Sequence, residues 1–259
     1  MASSPETSTT KRPIKTNSAK RLRDLLLGLQ RMGGANLFEV LPVGLNIKGS
    51  ESFIRSIQSY GIVSEMIQDF EREITNSNMT SEEKALYLKC LPGICRALSP
   101  HNSIKGWEQT KAEITATDLL TLEHAEVILR RYIDEIELEA SLFGEFYQAI
   151  DDALEILNEA GLPIELKDFI ASQLLRVKQA VDQYKYRGMN GVHEALASYL
   201  GSLDMSAANI EKNVSAEGKT KLRNVLTMAN SLFAAAHDVA WAWSHVLPVV
   251  EVIRGSLGI

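Results

Sequence analysis

The sequence LRRYIDEIELEASLFGEFYQAIDDALEIL, residues 129–157, indicates the fold class of this chain. Its apolar residues recur in steps of three or four, which places them on one face of an α-helix. The pattern continues on both sides and predicts a single helix over residues 119–160, roughly 60 Å long at about 1.5 Å per residue. The apolar seam of this helix consists of Leu129, Ile133, Ile136, Ala140, Phe143, Phe146, Ile150, Ala153 and Leu157.

A second apolar stripe, from Leu166 to Tyr184, follows a sharp break at Gly161–Pro163. Glycine suits the end of one helix and proline the start of the next, so the break favours two antiparallel helices. Residues 123–159 carry eleven acidic side chains against two arginines, whereas residues 166–187 carry a net charge of +3. Because these charges are complementary, we predict a coiled-coil-like antiparallel hairpin over residues 119–187.

Helical patterns also dominate the rest of the chain. Residues 51–75 carry an apolar residue at every third or fourth position and predict one helix. Thr80 and Glu83 form a capping box that opens another helix, and a last helix is predicted to begin near Glu217. Residues 36–48 lack a helical period and surround a proline and a glycine with apolar side chains, which predicts an apolar loop or a short extended segment, the one strand candidate of the chain.

These patterns predict an all-α protein, a helical bundle of six to eight helices built around the long antiparallel hairpin. Residues 1–17 are polar and show no apolar period, which predicts a disordered basic tail. Ser18 is predicted to cap the first helix. Residues 18–116 are predicted to form an N-terminal helical region, and residues 117–259 the long helical hairpin with an apolar C-terminal helix.

The composition is that of an ordinary globular protein. Of the 259 residues, 45% are apolar and 23% are charged, and only two are cysteines. This composition excludes an intrinsically disordered chain and a disulfide scaffold. The formal net charge of −6 argues against nucleic acid as a partner. Residues 1–20 contain no apolar core of a secretory signal, so a cytoplasmic location is predicted.

Positive charge is concentrated at the N-terminus, since residues 1–35 carry a net charge of +5 and residues 36–259 one of −11. A basic helix with an apolar face is typical of segments that bind anionic lipid or an acidic partner. The alternative is a flexible solubilising tail joined to an ordinary packed helix. The candidate residues for binding an anionic surface are Lys11, Arg12, Lys15, Lys20, Arg21 and Arg23.

The sequence contains no complete catalytic motif. Residues 44–50 have the glycine spacing of a phosphate-binding loop, but Ser50 occupies the position that requires lysine. His193 and Glu194 begin a zinc-protease motif that lacks its second histidine. Glu135 and Glu139 could present carboxylates to a divalent cation, although acids four residues apart are common on solvated helices. We predict no catalytic residue, no metal ligand and no cofactor, and we retain a helical metal-dependent enzyme as a third hypothesis.

Residues 226–253 form the most apolar segment, with 19 apolar residues out of 28. One interpretation is a central, buried helix of the bundle. The other is a helix that is sheltered in one state and inserts into a membrane or a partner in another. A permanent membrane span is disfavoured because Asp238 lies near the middle, where a charge costs on the order of 2.5–3.5 kcal/mol. Candidate membrane or partner contacts are Phe233, Trp241 and Trp243, and candidate pH-sensing residues are His237 and His245.

We predict a non-enzymatic helical interaction or assembly protein that self-associates, because a helix of roughly 60 Å outreaches a compact domain of this size. Phe143, Phe146 and Ile150 are the predicted contacts with another protein or a second copy. The alternative is a membrane-acting effector, of a toxin-like or defence type, that releases its apolar C-terminal helix onto an anionic membrane. That alternative places the chain at the periphery of a membrane.

Overall fold

A computed structural model describes residues 16–47, 51–102, 105–132 and 140–235 of the chain. Eleven α-helices and one short 3₁₀-helix at Pro100–Asn102 account for most of these residues, none of which lies in a β-strand. The prediction of an all-α protein is therefore confirmed. The α-helices are α1 (Ser18–Gln30), α2 (Leu37–Gly44), α3 (Ser52–Asn76), α4 (Ser81–Leu88), α5 (Leu91–Ala97), α6 (Trp107–Lys111), α7 (Ala116–Leu129), α8 (Ala140–Glu159), α9 (Ile164–Asp182), α10 (Tyr184–Asn213) and α11 (Ala216–Ala235).

The chain has more helices than the predicted six to eight, partly because the strand candidate, residues 36–48, contains α2. The side chain of Asn36 caps this helix by accepting a hydrogen bond of 3.1 Å from the backbone N–H of Glu39. Pro42 lies inside α2 and has no N–H to donate to the carbonyl of Phe38, four residues earlier. The Ser56 hydroxyl of α3 lies 3.0 Å from that carbonyl and 2.8 Å from the carbonyl of Ser52, so its one proton is shared between the two acceptors and partly replaces the missing helical bond.

The single helix predicted over residues 119–160 is wrong, because α7 ends at Leu129. Its last turn tightens: the backbone N–H groups of Arg131 and Tyr132 donate to carbonyls three residues earlier, a 3₁₀ pattern that closes the helix. Residues 133–139 lie outside the described part of the chain, and α8 begins at Ala140. A seam spaced by threes and fours is equally compatible with two helices in tandem, which is why the pattern could not reveal the break.

Helices α8 and α9 form an antiparallel pair over residues 140–182, shorter than the hairpin predicted over 119–187. Asp151 of α8 pairs with Lys178 of α9 at 2.5 Å. The Tyr147 hydroxyl donates to the Asp182 carboxylate at 2.7 Å. The sequence positions of the two partners change in opposite directions, as antiparallel packing requires. The first of these contacts joins the acidic helix to the basic one, as the charge pattern predicts.

The buried apolar residues form two clusters. The first is built from α1 to α7, with α1 packed between α3 and α7, and the fully buried Trp107 at its edge. The second is built from α8 to α11. The change from one cluster to the other falls between Leu129 and Phe146. The division predicted between residues 116 and 117 stays a prediction.

The first turn of α10 joins the two clusters. Gly188 interrupts this helix with a φ of 60° and a ψ of −160°, a conformation that is essentially restricted to glycine. Tyr186, just before the interruption, is the residue of α10 that packs into the first cluster. The remainder of α10, from Met189 onward, packs into the second cluster.

Candidate functional site

A group of exposed large apolar side chains lies at the start of α3. Phe53, Ile54 and Ile57 are 64%, 48% and 54% exposed. Positions 53 and 57, and positions 54 and 57, are four and three residues apart, so the three side chains share one side of the helix. Phe38 and Tyr60, both half-buried, adjoin them. We call these five residues the α2–α3 patch.

Aromatic contacts organise the α2–α3 patch. The Phe38 ring stacks on the Phe53 ring with a centroid distance of 6.2 Å, and it lies 6.3 Å from the Tyr60 ring in a tilted arrangement. Such pairs add about 0.5–1.5 kcal/mol to the burial of their surfaces. The hydrogen bond from Ser56 to the Phe38 carbonyl holds α2 and α3 together beneath the rings. The patch is therefore a fixed surface of rings and aliphatic chains without a charged side chain.

The sequence places Phe53, Ile57 and Tyr60 on the apolar stripe of the helix predicted over residues 51–75, and Phe38 in the segment 36–48. That helix is confirmed as α3, with a shift of one residue at each end. Val63, Phe70 and Ile74 are buried as expected, whereas Phe53 and Ile57 are not. The available signal was Ile54, which widens the stripe at its N-terminal end beyond the single row that a one-sided core contact needs.

The predicted self-contact residues lie mainly inside the chain's own core. Phe146 and Ile150 are fully buried in the second cluster, where α8 faces α9 and α11. Phe143 is half-buried and packs on Tyr184, with ring centroids 5.3 Å apart. In this conformation Phe146 and Ile150 are covered by residues of the same chain, so they present no surface to a partner.

The basic residues at the start of α1 make ion pairs within the protein. Lys20 pairs with Asp24 at 2.9 Å, and the buried Arg21 lies 3.7 Å from Glu73. Arg23 pairs at 2.5 Å with Glu126 of α7. These contacts give the three cations a structural role at the junction of α1, α3 and α7. The other candidates for an anionic surface, Lys11, Arg12 and Lys15, lie outside the described residues.

The residues proposed for membrane action are not described by the structure. Residues 236–259, which are not described, include His237, Trp241, Trp243 and His245. The backbone of Phe233 belongs to α11, but its side chain is not described. Within the described part of the chain, no helix has the length and hydropathy needed to cross a membrane.

The described residues contain no cluster of three or more side chains suited to hold a metal ion. Glu135 and Glu139, the predicted carboxylate pair, lie outside them. Cys90 and Cys95 are free thiols. Burial raises the pKa of the Cys90 thiol to about 12, which keeps it protonated and weakly nucleophilic at neutral pH. Burial also raises the pKa of Cys95.

No family model matches the chain, and neither a curated protein nor a solved structure shows significant similarity to it.

Proposed function

We propose that this chain is a non-enzymatic helical interaction protein that associates with a second copy of itself through the α2–α3 patch. The observation that carries the proposal is the exposure of Phe53, Ile54 and Ile57 on a surface fixed by the Phe38 ring. Contiguous apolar surface rimmed by polar residues is typical of sites that bind another protein, and aromatic residues are enriched at such sites.

The uncharged character of the patch favours a second copy as the partner. In a two-fold symmetric dimer, the same surface contacts itself, so any charge at its centre meets a like charge. None of the five patch residues is charged, so the patch avoids this repulsion. In such a dimer the patch on one copy packs against the patch on the other, so no different protein has to supply a matching surface.

The exposure of these side chains also distinguishes association from folding. Removing Phe53 and Ile57 should lower the stability of the isolated chain by only about 0.5–1.5 kcal/mol, mainly through loss of the stacking between Phe53 and Phe38. The same substitutions should weaken a dimer strongly. A cytoplasmic location is part of the proposal, and the free thiols of Cys90 and Cys95 agree with a reducing compartment.

The test is sedimentation velocity of the full chain over a concentration series, for the wild type and for a Phe53→Ser, Ile57→Ser double variant. We expect a reversible dimer whose dissociation constant rises at least about a hundredfold in the double variant, since two interface residues each contribute about 1.4 kcal/mol or more. Circular dichroism should show equal helix content in the two proteins.

Met205→Ser provides a matched control, because Met205 is 82% exposed and lies on the part of α10 that packs with the second cluster. This variant should dimerise like the wild type. A wild-type chain that stays monomeric at every concentration overturns the proposal. A double variant that dimerises as tightly as the wild type also overturns it and moves the contact elsewhere. The membrane-acting alternative depends on residues 226–253 and stays a prediction.

A further inference from the structure

A cleft of 490 Å³ opens between the two clusters. Helix α1 forms one wall, and the segment that connects α9 to α10 forms the other, with α8 beside it. Clefts of about 300–1,000 Å³ with apolar walls and a few polar groups are typical of sites for small molecules. The α2–α3 patch does not contribute to this cleft, so a ligand site here is independent of the proposed self-association.

One wall of the cleft is rich in aromatic rings. Phe143, Tyr147, Tyr184 and Tyr186 line the cleft from this second wall. The Tyr186 hydroxyl is occupied, because it donates to the carbonyl of Gly44 at 2.8 Å. The Tyr147 hydroxyl is likewise occupied by Asp182. The rings can therefore contact a ligand by stacking or edge-to-face packing, which suits a ligand with a flat aromatic group.

The charged groups at the opening differ in whether they already have partners. Asp24 accepts a hydrogen bond from Lys20, and Asp182 accepts one from Tyr147. Lys185 is exposed, and no residue that the structure describes forms an ion pair with it. Its ammonium group lies 5.9 Å from the centroid of the Tyr186 ring, at the border of the aromatic surface. Lys20 and Arg21 also line the cleft but pair with Asp24 and Glu73, so Lys185 is the lining cation for which the described residues provide no ion pair.

From this arrangement we propose that the cleft binds a small amphipathic anion, with an aromatic body among the rings and a carboxylate, sulfonate or phosphate group beside Lys185. The aromatic body is held by ring contacts and by removal of its apolar surface from water. The anionic group pairs with the lysine at the opening, where it keeps part of its hydration.

Gly28 allows the cleft to be filled without disturbing the fold. It lies in α1, lines the cleft, and a Cβ atom added at this position meets no atom within 4 Å. Gly28→Leu therefore places a side chain in the open space of the cleft. Leucine also favours a helix more than glycine does, which protects the stability of α1. Gly201→Leu is the matched control, because Gly201 is an exposed helical glycine in α10 with equally open surroundings.

The probe is 8-anilinonaphthalene-1-sulfonate, which carries two aromatic groups and one sulfonate, and its neutral analogue N-phenyl-1-naphthylamine lacks the sulfonate. We expect one saturable site for the anionic probe on the full chain, followed by fluorescence. Gly28→Leu should abolish this binding, and Gly201→Leu should leave it unchanged. Lys185→Ala should weaken binding of the anionic probe by about two- to fivefold, because one exposed charge pair is lost, and should leave binding of the neutral probe unchanged.

The same titrations in the Phe53→Ser, Ile57→Ser background separate cleft binding from dye that collects on the α2–α3 patch, and the cleft site should persist there. Urea unfolding of each variant checks that a loss of binding is not a loss of folding. The proposal is overturned if Gly28→Leu, while folded, binds the anionic probe like the wild type. It is also overturned if Lys185→Ala weakens both probes equally, or if binding never saturates.

Discussion

The Tyr186 hydroxyl donates a hydrogen bond of 2.8 Å to the carbonyl oxygen of Gly44, 142 residues earlier in the chain. This bond connects the start of α10 to the end of α2, and therefore the second cluster to the first. An ion pair of 2.5 Å between Arg187 and Glu65 of α3 lies beside it. Two adjacent residues of α10 thus hold the clusters together through two partly buried contacts.

Replacing Tyr186 with phenylalanine should destabilise the chain by about 1 kcal/mol. The ring keeps its place in the first cluster, but the Gly44 carbonyl loses its donor, and a typical hydrogen bond contributes about 0.5–1.5 kcal/mol. Urea unfolding followed by circular dichroism measures the change. Tyr132→Phe is the control, because Tyr132 is exposed and should tolerate the loss of its hydroxyl. An unchanged unfolding free energy for Tyr186→Phe contradicts a role for this bond in joining the clusters.

The helices themselves were largely predictable, because the capping residues and the apolar period that define a helix lie within its own stretch of sequence. The capping box of Thr80 and Glu83 is present at α4, and α11 begins one residue before Glu217. The first helix also lies where expected, although Asn17 rather than Ser18 provides its cap. What periodicity cannot report is which core a helix joins. Leu129 and Phe146 belong to one seam in the sequence and to two clusters in the structure.

The candidate surfaces were less predictable, because the exposure of a side chain depends on which other helices pack against it. Phe53 and Phe146 both occupy regular apolar positions in the sequence, yet one is exposed and the other fully buried. The cleft combines α1 with residues more than 110 positions later, a juxtaposition that no local pattern encodes. The sequence suggests Lys20 and Arg23 as residues that bind an anionic surface, whereas in the structure they form ion pairs with Asp24 and Glu126.

Glu126 of α7 is the most deeply placed acid of the first cluster. It is buried, it pairs with Arg23 of α1 and with Arg130, and its backbone carbonyl accepts a hydrogen bond of 3.0 Å from the Asn17 side chain. Glu126→Gln should destabilise the chain by about 1–3 kcal/mol, because it leaves two arginines without their shared carboxylate. Thermal or urea unfolding measures this effect.

Glu108→Gln is the comparison for Glu126→Gln. Glu108 pairs with Lys111 at 2.6 Å, but its side chain is largely exposed, so its loss should cost less than about 0.5 kcal/mol. Equal effects of the two substitutions would show that burial of the Glu126 carboxylate is energetically unimportant.

Gly188 should not tolerate a side chain. Its φ of 60° and ψ of −160° lie in a region that is strained for every other residue, so Gly188→Ala should cost about 1–3 kcal/mol. Gly201→Ala, in the same helix at an open and exposed position, should instead stabilise the chain by about 0.5–1 kcal/mol. Unfolding free energies of the two variants are expected to change in opposite directions. A stabilising Gly188→Ala would contradict the interruption in α10.

The side chain of Asp69 lies in a polar recess between α3 and α10, where burial disfavours its ionised form. Glu65, Asp69 and Glu194 line the recess together with Arg72 and Arg187. Burial raises the pKa of Asp69 above its ordinary value, and the nearby arginines only partly offset this. The folded chain therefore binds a proton at Asp69 more readily than the unfolded chain does. Folding is penalised above the raised pKa, and the penalty disappears as the pH falls below the ordinary value of 3.8.

Asp69→Asn, which resembles the protonated acid, should therefore be more stable than the wild type at pH 7, and its advantage should vanish as the pH falls through the raised pKa to below 3.8. Glu83→Gln should show the opposite sign. Hydrogen bonds from Thr80 lower the pKa of Glu83, so its ionised form stabilises the fold above 4.5 and this contribution is lost as the pH falls through the lowered value. Urea unfolding at several pH values measures both differences. An Asp69→Asn variant less stable than the wild type at pH 7 would mean that the arginines outweigh burial in this recess.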